Sequence, residues 1–339
     1  MRSFASDNNS AVHPLIMESI IAANKDHAVG YGDDKWTSLA TERIESLFGE
    51  YAKAFILFNG TGANSVAIQS LTNSYNSVLC ASTAHIFVDE CGAPQKMSGA
   101  AIMPIDTPDG KLTCELIKPH LTHFGEVHHS QPKVVYISQT TEYGTIYTLD
   151  QIKAIADLIH PYGMYLHMDG ARIANACAAL GCSIKEMTSD VGVDMVSFGG
   201  TKNGMMIGEA VVSLNRDVTY AVEFYRKQSA QLCSKMRYLS AQFIPYIDNN
   251  LWLENATKAN AAARKLYDVL RGFSEITFTQ EVESNQLFLV INGQLIEKLL
   301  ENYFFYVWNE KKNEIRLVTS WDTTDEDIIR FVEAVMGNL

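Results

Sequence analysis

Short, nearly unbroken apolar runs alternate with segments whose apolar residues recur at helical spacing. KAFILF (53–58) reads as a strand, followed by a glycine turn and a helix-like stretch, NSVAIQSLT. SVLCAS, KVVYIS, GMYLHMDG and VDMVSFGG read as further strands buried on both faces, since they lack the alternation of a half-exposed strand. LDQIKAIADLIHPYG (149–163) carries a helical apolar stripe and stops at Pro161 and Gly163. Strand, helix and strand in this rhythm predict an α/β fold, a mostly parallel central sheet flanked by helices.

From about residue 215 the pattern turns helical. NATKANAAARKLYDVLRGF (255–273) reads as one long helix closed by Gly272. EITFTQ, QLFLVI, YFFYVW and EIRLVTS then read as short strands around the helix LIEKLLEN, and DEDIIRFVEAVMG as a last helix. The expected division is an N-terminal arm and large domain over 1–247, and a small C-terminal α+β domain over 248–339.

The 339 residues are 47% apolar and 19% charged, which suits a globular chain with a sizeable core. A net charge of −12 argues against a general nucleic-acid binder. No apolar run is long enough to cross a bilayer, and MRSFASDNNSAVHP lacks the apolar core of a signal peptide, so a cytoplasmic enzyme is expected. The six cysteines include no CxxC and are expected to be buried free thiols, with no metal site.

Ligands of parallel sheets bind at the carboxyl ends of strands. Two such ends carry candidate chemistry: YLHMDGAR delivers Asp169 and Arg172, and VSFGGTK delivers Thr201 and Lys202. A buried carboxylate and an amine there can address opposite ends of one flat cofactor. Pyridoxal phosphate needs that pair, a lysine for its aldehyde and a carboxylate beside its ring nitrogen. FNGTGANS (58–65) adds a glycine turn between strand and helix, where backbone N–H groups at a helix N-terminus can meet a phosphate. The glycines around Lys202 let the backbone come close to a bound cofactor.

HMDGARIANA and SFGGTKNGMMIGEAVV, with YGDD, FNGTGAN, HIFVDECGAP and IRLVTSWDTT, resemble the low-specificity L-threonine aldolases over essentially the whole chain. These are aspartate-aminotransferase-like, fold type I pyridoxal phosphate enzymes. The resemblance implies that Lys202 bonds the cofactor aldehyde and that Asp169 holds the ring nitrogen protonated. It further implies that Gly60, Thr61, Thr201 and Arg237 contact the cofactor, and Arg172 cofactor or substrate oxygens. His85 matches a histidine stacked on the ring. His128, or its neighbour His129, matches one near the substrate hydroxyl. Ser6 and Arg316 match groups that grip the amino acid carboxylate, and Tyr31 lies on a loop placed at the active site, often across a dimer interface. Asp89 stands where some relatives carry an aromatic residue. Around Arg237 the chain departs from the pattern: LCSKMR replaces a glycine-rich turn, Ala230 replaces a lysine, and Lys235 or Lys227 is the alternative source of that charge.

The resemblance implies reversible aldol cleavage of L-threonine and L-allo-threonine to glycine and acetaldehyde by a homotetramer built from dimers. The expected base is His85, or a water held by His85 and His128. The histidines at 120, 123, 128 and 129 fit no standard zinc spacing and read as a solvated loop. Competing readings are β-elimination, transamination or phenylserine-selective cleavage on the same scaffold, and a non-catalytic binding module. A nucleotide-dependent enzyme is disfavoured, because GTGAN is neither GxGxxG nor a P-loop.

Overall fold

In the computed structural model, which describes residues 2–339, seven strands form the central sheet: β1 (Lys53–Leu57), β2 (Asn76–Ala81), β3 (Ala101–Ile105), β4 (Gln131–Ser138), β5 (Tyr165–Gly170), β6 (Met195–Gly199) and β7 (Glu209–Ser213). Their order is β1-β7-β6-β5-β4-β2-β3, and only β7 runs antiparallel to its neighbours. β3 and β7 are absent from the sequence reading. AIMPI contains a proline and lies at the sheet edge, and the quoted run ending in GEAVV hides β7 behind a loop.

Both sheet faces are buried, which explains the unbroken apolar runs. Val135 and Ile137 of β4 enter the larger core, while Val134 and Tyr136 enter a second core with helix Gly60–Leu71. Helix Leu149–Ile159 starts in a capping box: Thr148 accepts from Gln151 N–H, and the Gln151 side chain accepts from Thr148 N–H. Such a cap contributes about 1 kcal/mol.

The small antiparallel sheet has order β10-β11-β9-β8, with β8 Thr277–Phe278, β9 Gln286–Val290, β10 Tyr306–Asn309 and β11 Glu314–Val318. YFFYVW is interrupted: Tyr303–Phe304 pairs with Arg2–Ser3 instead, and buried Phe305 separates it from β10. The long helix spans Leu251–Leu270, so it begins before the expected 255. Its first turns (Leu251, Trp252, Ala256) pack in the large core and its later ones (Ala262, Leu266, Leu270) in the small one. All six cysteines are free, but burial was over-expected: Cys80 and Cys177 are buried, Cys91 is exposed and the others are half-buried.

Candidate active site

The carboxyl ends of β4, β5 and β6 are in register, with Ser138 opposite Asp169 and Asp169 opposite Ser197. Strand alternation turns Asp169 toward the face of Tyr136 and helix Gly60–Leu71. Its Oδ2 accepts hydrogen bonds from Tyr136 Oη (2.6 Å) and Asn64 Nδ2 (2.9 Å), and its Oδ1 accepts from Ala171 N–H (2.9 Å). Burial alone would raise its pKa. The Tyr136 hydroxyl, the charges of His85 and Lys202 and the Asn64 amide outweigh burial and hold it below the ordinary carboxylate range. Asp169 is therefore a fixed negative charge under the cavity.

Lys202 sits in a single turn, Thr201–Asn203, directly after β6. Gly199 is required there because a Cβ would come within 2.8 Å of both the Ala171 backbone and Glu209 Oε2. Gly204 closes the turn at φ +102°, a left-handed conformation that favours glycine. Buried Asn203 anchors the loop by donating to Tyr246 Oη (2.8 Å) and Trp252 O (2.7 Å). Burial, then the nearby Arg172 charge, lower the Lys202 pKa against the opposing pull of Asp7, Asp169 and Glu209. The lowered value favours the free, nucleophilic amine. Glu209 on β7, missed in the sequence, is pushed up to about 7 by burial.

A cavity of about 560 Å³ opens over this floor. Lys202, His85, Arg172, Ser6, Asp89 and Arg316 all line it, which gathers six of the expected residues from five separate stretches of chain. Thr201 adjoins Lys202, and its hydroxyl lies 3.4 Å from Gly208 O. His85 Nδ1 meets the buried Glu90 carboxylate at 2.7 Å. That hydrogen bond outweighs burial and raises the imidazole pKa. Beside it, Glu142 also faces the cavity.

The two arginines differ. Arg172 commits Nε and Nη2 to buried Asp7 (2.7 and 2.8 Å). Arg316 donates only to Ala5 O (3.1 Å) and is flanked by the rings of Trp308 (4.9 Å) and Tyr306 (5.5 Å). Among the described residues its enclosed Nε has no partner. Burial lowers its pKa to about 10. Arg316 is thus the less committed of the cavity's two arginines.

Three expected residues lie elsewhere in the single chain. His128 is exposed on the loop before β4, where His123, Glu126 and His129 cluster. Tyr31 is exposed at φ +61°, with the Lys227 ammonium 4.8 Å from its ring centroid. Arg237 donates to the carbonyls of Lys25 (3.2 Å) and Asp26 (3.0 Å), in a surface hollow that includes Lys235. Sequence reasoning also missed Asp7, Asn64, Tyr136, Glu90 and Glu142. The serine and aspartate in SDN and the acids in FVDE and TTEYG were the visible signals.

Residues 3–293 match the beta-eliminating lyase family. A low specificity L-threonine aldolase of Pseudomonas aeruginosa is 40% identical, covering 99% of this chain and 98% of its own. The chain belongs to the beta-eliminating lyase family and, within it, to the low-specificity L-threonine aldolases. The Escherichia coli low specificity L-threonine aldolase is 27% identical, covering 84% of this chain and 86% of its own. The solved threonine aldolase of Leishmania major superposes with a TM-score of 0.93 at 30% identity, covering 99% of both chains.

Enzymes of this family depend on pyridoxal phosphate. The residues here fit that group. Lys202 offers an amine whose pKa burial lowers, and Asp169 a buried charge. Helix Gly60–Leu71 offers an anion site: Asn59 accepts the N–H groups of Gly62 and Ala63, while those of Gly60 and Thr61 have no protein acceptor among the described residues. A Cβ on Gly60 would meet nothing within 4 Å, so the space beside that residue is open.

Proposed function

We propose that this cavity cleaves L-threonine, L-allo-threonine and related β-hydroxy-α-amino acids to glycine and an aldehyde, reversibly, with pyridoxal phosphate held by Lys202. The observation that carries the reading is the pairing of the Lys202 amine, its pKa lowered by burial, with the charged Asp169 floor, beneath the less committed Arg316.

Bound pyridoxal phosphate supplies an electron sink conjugated to the substrate's Cα. Asp169 supplies the charge that keeps a proton on the pyridine nitrogen. Gly60 and Thr61 N–H groups bind the phosphate, with Thr201 beside the lysine. Arg316 forks the substrate carboxylate, aided by Ser6 and the remaining Arg172 nitrogen. A carboxylate fixed in this way sets which Cα bond is broken. His85, tied to Glu90, provides a flat wall, and Asp89 meets the substrate side chain at the mouth.

Tyr31, His128 and Arg237 lie outside the cavity in one chain, and their separation supports a homo-oligomeric site, a dimer of dimers, in which a second copy supplies them. Within each copy, we divide the chain into a large domain over 1–247 and a small one over 248–339, with helix Leu251–Leu270 packing against both cores. No described helix is long and apolar enough to cross a membrane. A cytoplasmic setting is part of this reading.

The family description favours one second reading, β-elimination, which from threonine would release 2-oxobutanoate and ammonia. The test is a product assay with the four threonine stereoisomers. Glycine and acetaldehyde from the two L isomers are expected. 2-Oxobutanoate and ammonia, or turnover confined to D isomers, would contradict the proposal.

A further inference from the structure

Glu142 has no role in the reading above. It lies in the turn after β4, half-buried, and lines the same cavity as Lys202 and His85. Its Oε1 accepts the Ser138 hydroxyl (2.7 Å) and the main-chain N–H of His85 (2.9 Å). Among the described residues Oε2 has no hydrogen-bond partner, and the carboxyl has no ion-pair partner. Its neighbours are committed differently. Asp169 takes Tyr136 and Asn64, Glu90 takes His85 and Asn64, and Asp7 takes Arg172. Asp89 is exposed at the mouth.

We propose that Glu142 is a catalytic residue of the carbon–carbon cleavage, its Oε2 accepting the β-hydroxyl proton in the cleavage direction and returning it in condensation. This rests on the aldolase reading of the cavity. The O–H electron pair becomes the second C–O bond of the aldehyde as Cα–Cβ breaks. The Cα–Cβ pair stays on Cα, which a bound cofactor would stabilise as an electron sink. Solvent protonates Cα to complete glycine, and the proton on Oε2 leaves to solvent after the aldehyde departs.

Three observations favour Glu142 over the other groups. His128 is outside the cavity of its own chain. His85 commits its Nδ1 to the buried Glu90 carboxylate, a hydrogen bond that raises the imidazole pKa. Burial raises the Glu142 pKa, against the hydrogen bonds from Ser138 and the main chain, and the Asp169 charge raises it further. A base is most effective when its pKa approaches the working pH. The charged groups whose fields reach it are Asp169 and Arg172, and its own field reaches the Cys80 thiol and the hydroxyls of Tyr136, Tyr143 and Tyr147, which burial keeps neutral.

The test is Glu142→Gln, whose amide oxygen can still accept both hydrogen bonds, studied as the cofactor-loaded protein. Cofactor absorbance and the Kd for glycine by spectral titration should stay within about twofold of wild type. Cleavage kcat/KM should fall ~100-fold or more, and the low-pH limb of the wild-type profile should vanish. Ser138→Ala removes a bond to the charged form, so it should move that limb to higher pH. Glu142→Gln retaining cleavage within about threefold, with the limb intact, would overturn the proposal. Loss of cofactor or glycine binding in the variant would also overturn it, by making the role structural. A wild-type protein that binds cofactor and glycine but cleaves no isomer overturns the aldolase reading itself, and this proposal with it.

Discussion

The floor around Asp169 and the surface around Arg237 are built on opposite principles. On the floor, Asp169, Asn64, Tyr136 and Ser197 satisfy one another inside a single chain, in a layer fixed by strand register. At the surface, Arg237 rests on main-chain carbonyls, Tyr31 is exposed, and Lys227 stands over its ring. A fully satisfied buried network is rigid, and breaking it leaves unpaired groups. An exposed basic and aromatic patch is held by little and can be completed by another copy. The chemistry end of the site is thus intrinsic to the fold, while the patch would enter a site only through the proposed assembly.

The largest expected effect sharpens the floor side. Lys202→Ala should abolish cleavage, on the order of 1000-fold or more, and remove the cofactor's visible absorbance. Full activity in that variant would break the account. Arg316→Gln should lower kcat/KM about 100-fold, mainly through KM for the amino acid, because it removes a charged fork without touching Asp169. An effect confined to kcat, with KM unchanged, would deny it the carboxylate.

The patch side is tested by mixing. Arg237→Ala should weaken cofactor affinity about tenfold, as for one exposed charged contact. In hybrids of Arg237→Ala with Lys202→Ala, the sites that keep Lys202 should bind cofactor with wild-type affinity if each site draws Arg237 from its neighbour. Hybrids whose active sites bind cofactor as weakly as Arg237→Ala would place Arg237 in its own chain's site and erase the contrast.

The smallest effect concerns Tyr136→Phe. Losing one hydrogen bond costs about 1 kcal/mol. Asp169 is held below its ordinary value, so its stabilising share is present above the unfolded pKa and lost as pH falls through the folded one. Without the Tyr136 hydroxyl the folded pKa rises, so acid unfolding should begin at a higher pH. A denaturation profile unchanged by the variant would show that the hydroxyl does not set the Asp169 charge.

Much of the floor was legible in the sequence, for a local reason. Asp169 and Lys202 each sit at the end of a buried apolar run, and an unbroken run followed by glycine marks a strand end. Their partners were not legible. Arg172 meets Asp7 across 165 positions, and Asn64 meets Asp169 across 105. Such pairings are set by strand order, which periodicity does not encode. β7 escaped for a related reason: its antiparallel insertion between β1 and β6 depends on the loop that carries Lys202. His128 and Arg237 were legible only by resemblance, and nothing in the single chain draws them to the cavity.

The central claim is a covalent one, and it can be read directly. The protein loaded with pyridoxal phosphate is reduced with borohydride, digested, and its peptides are mapped by mass. The account predicts a stable pyridoxyl adduct on the peptide containing Lys202. An adduct on another lysine, or none, would contradict it.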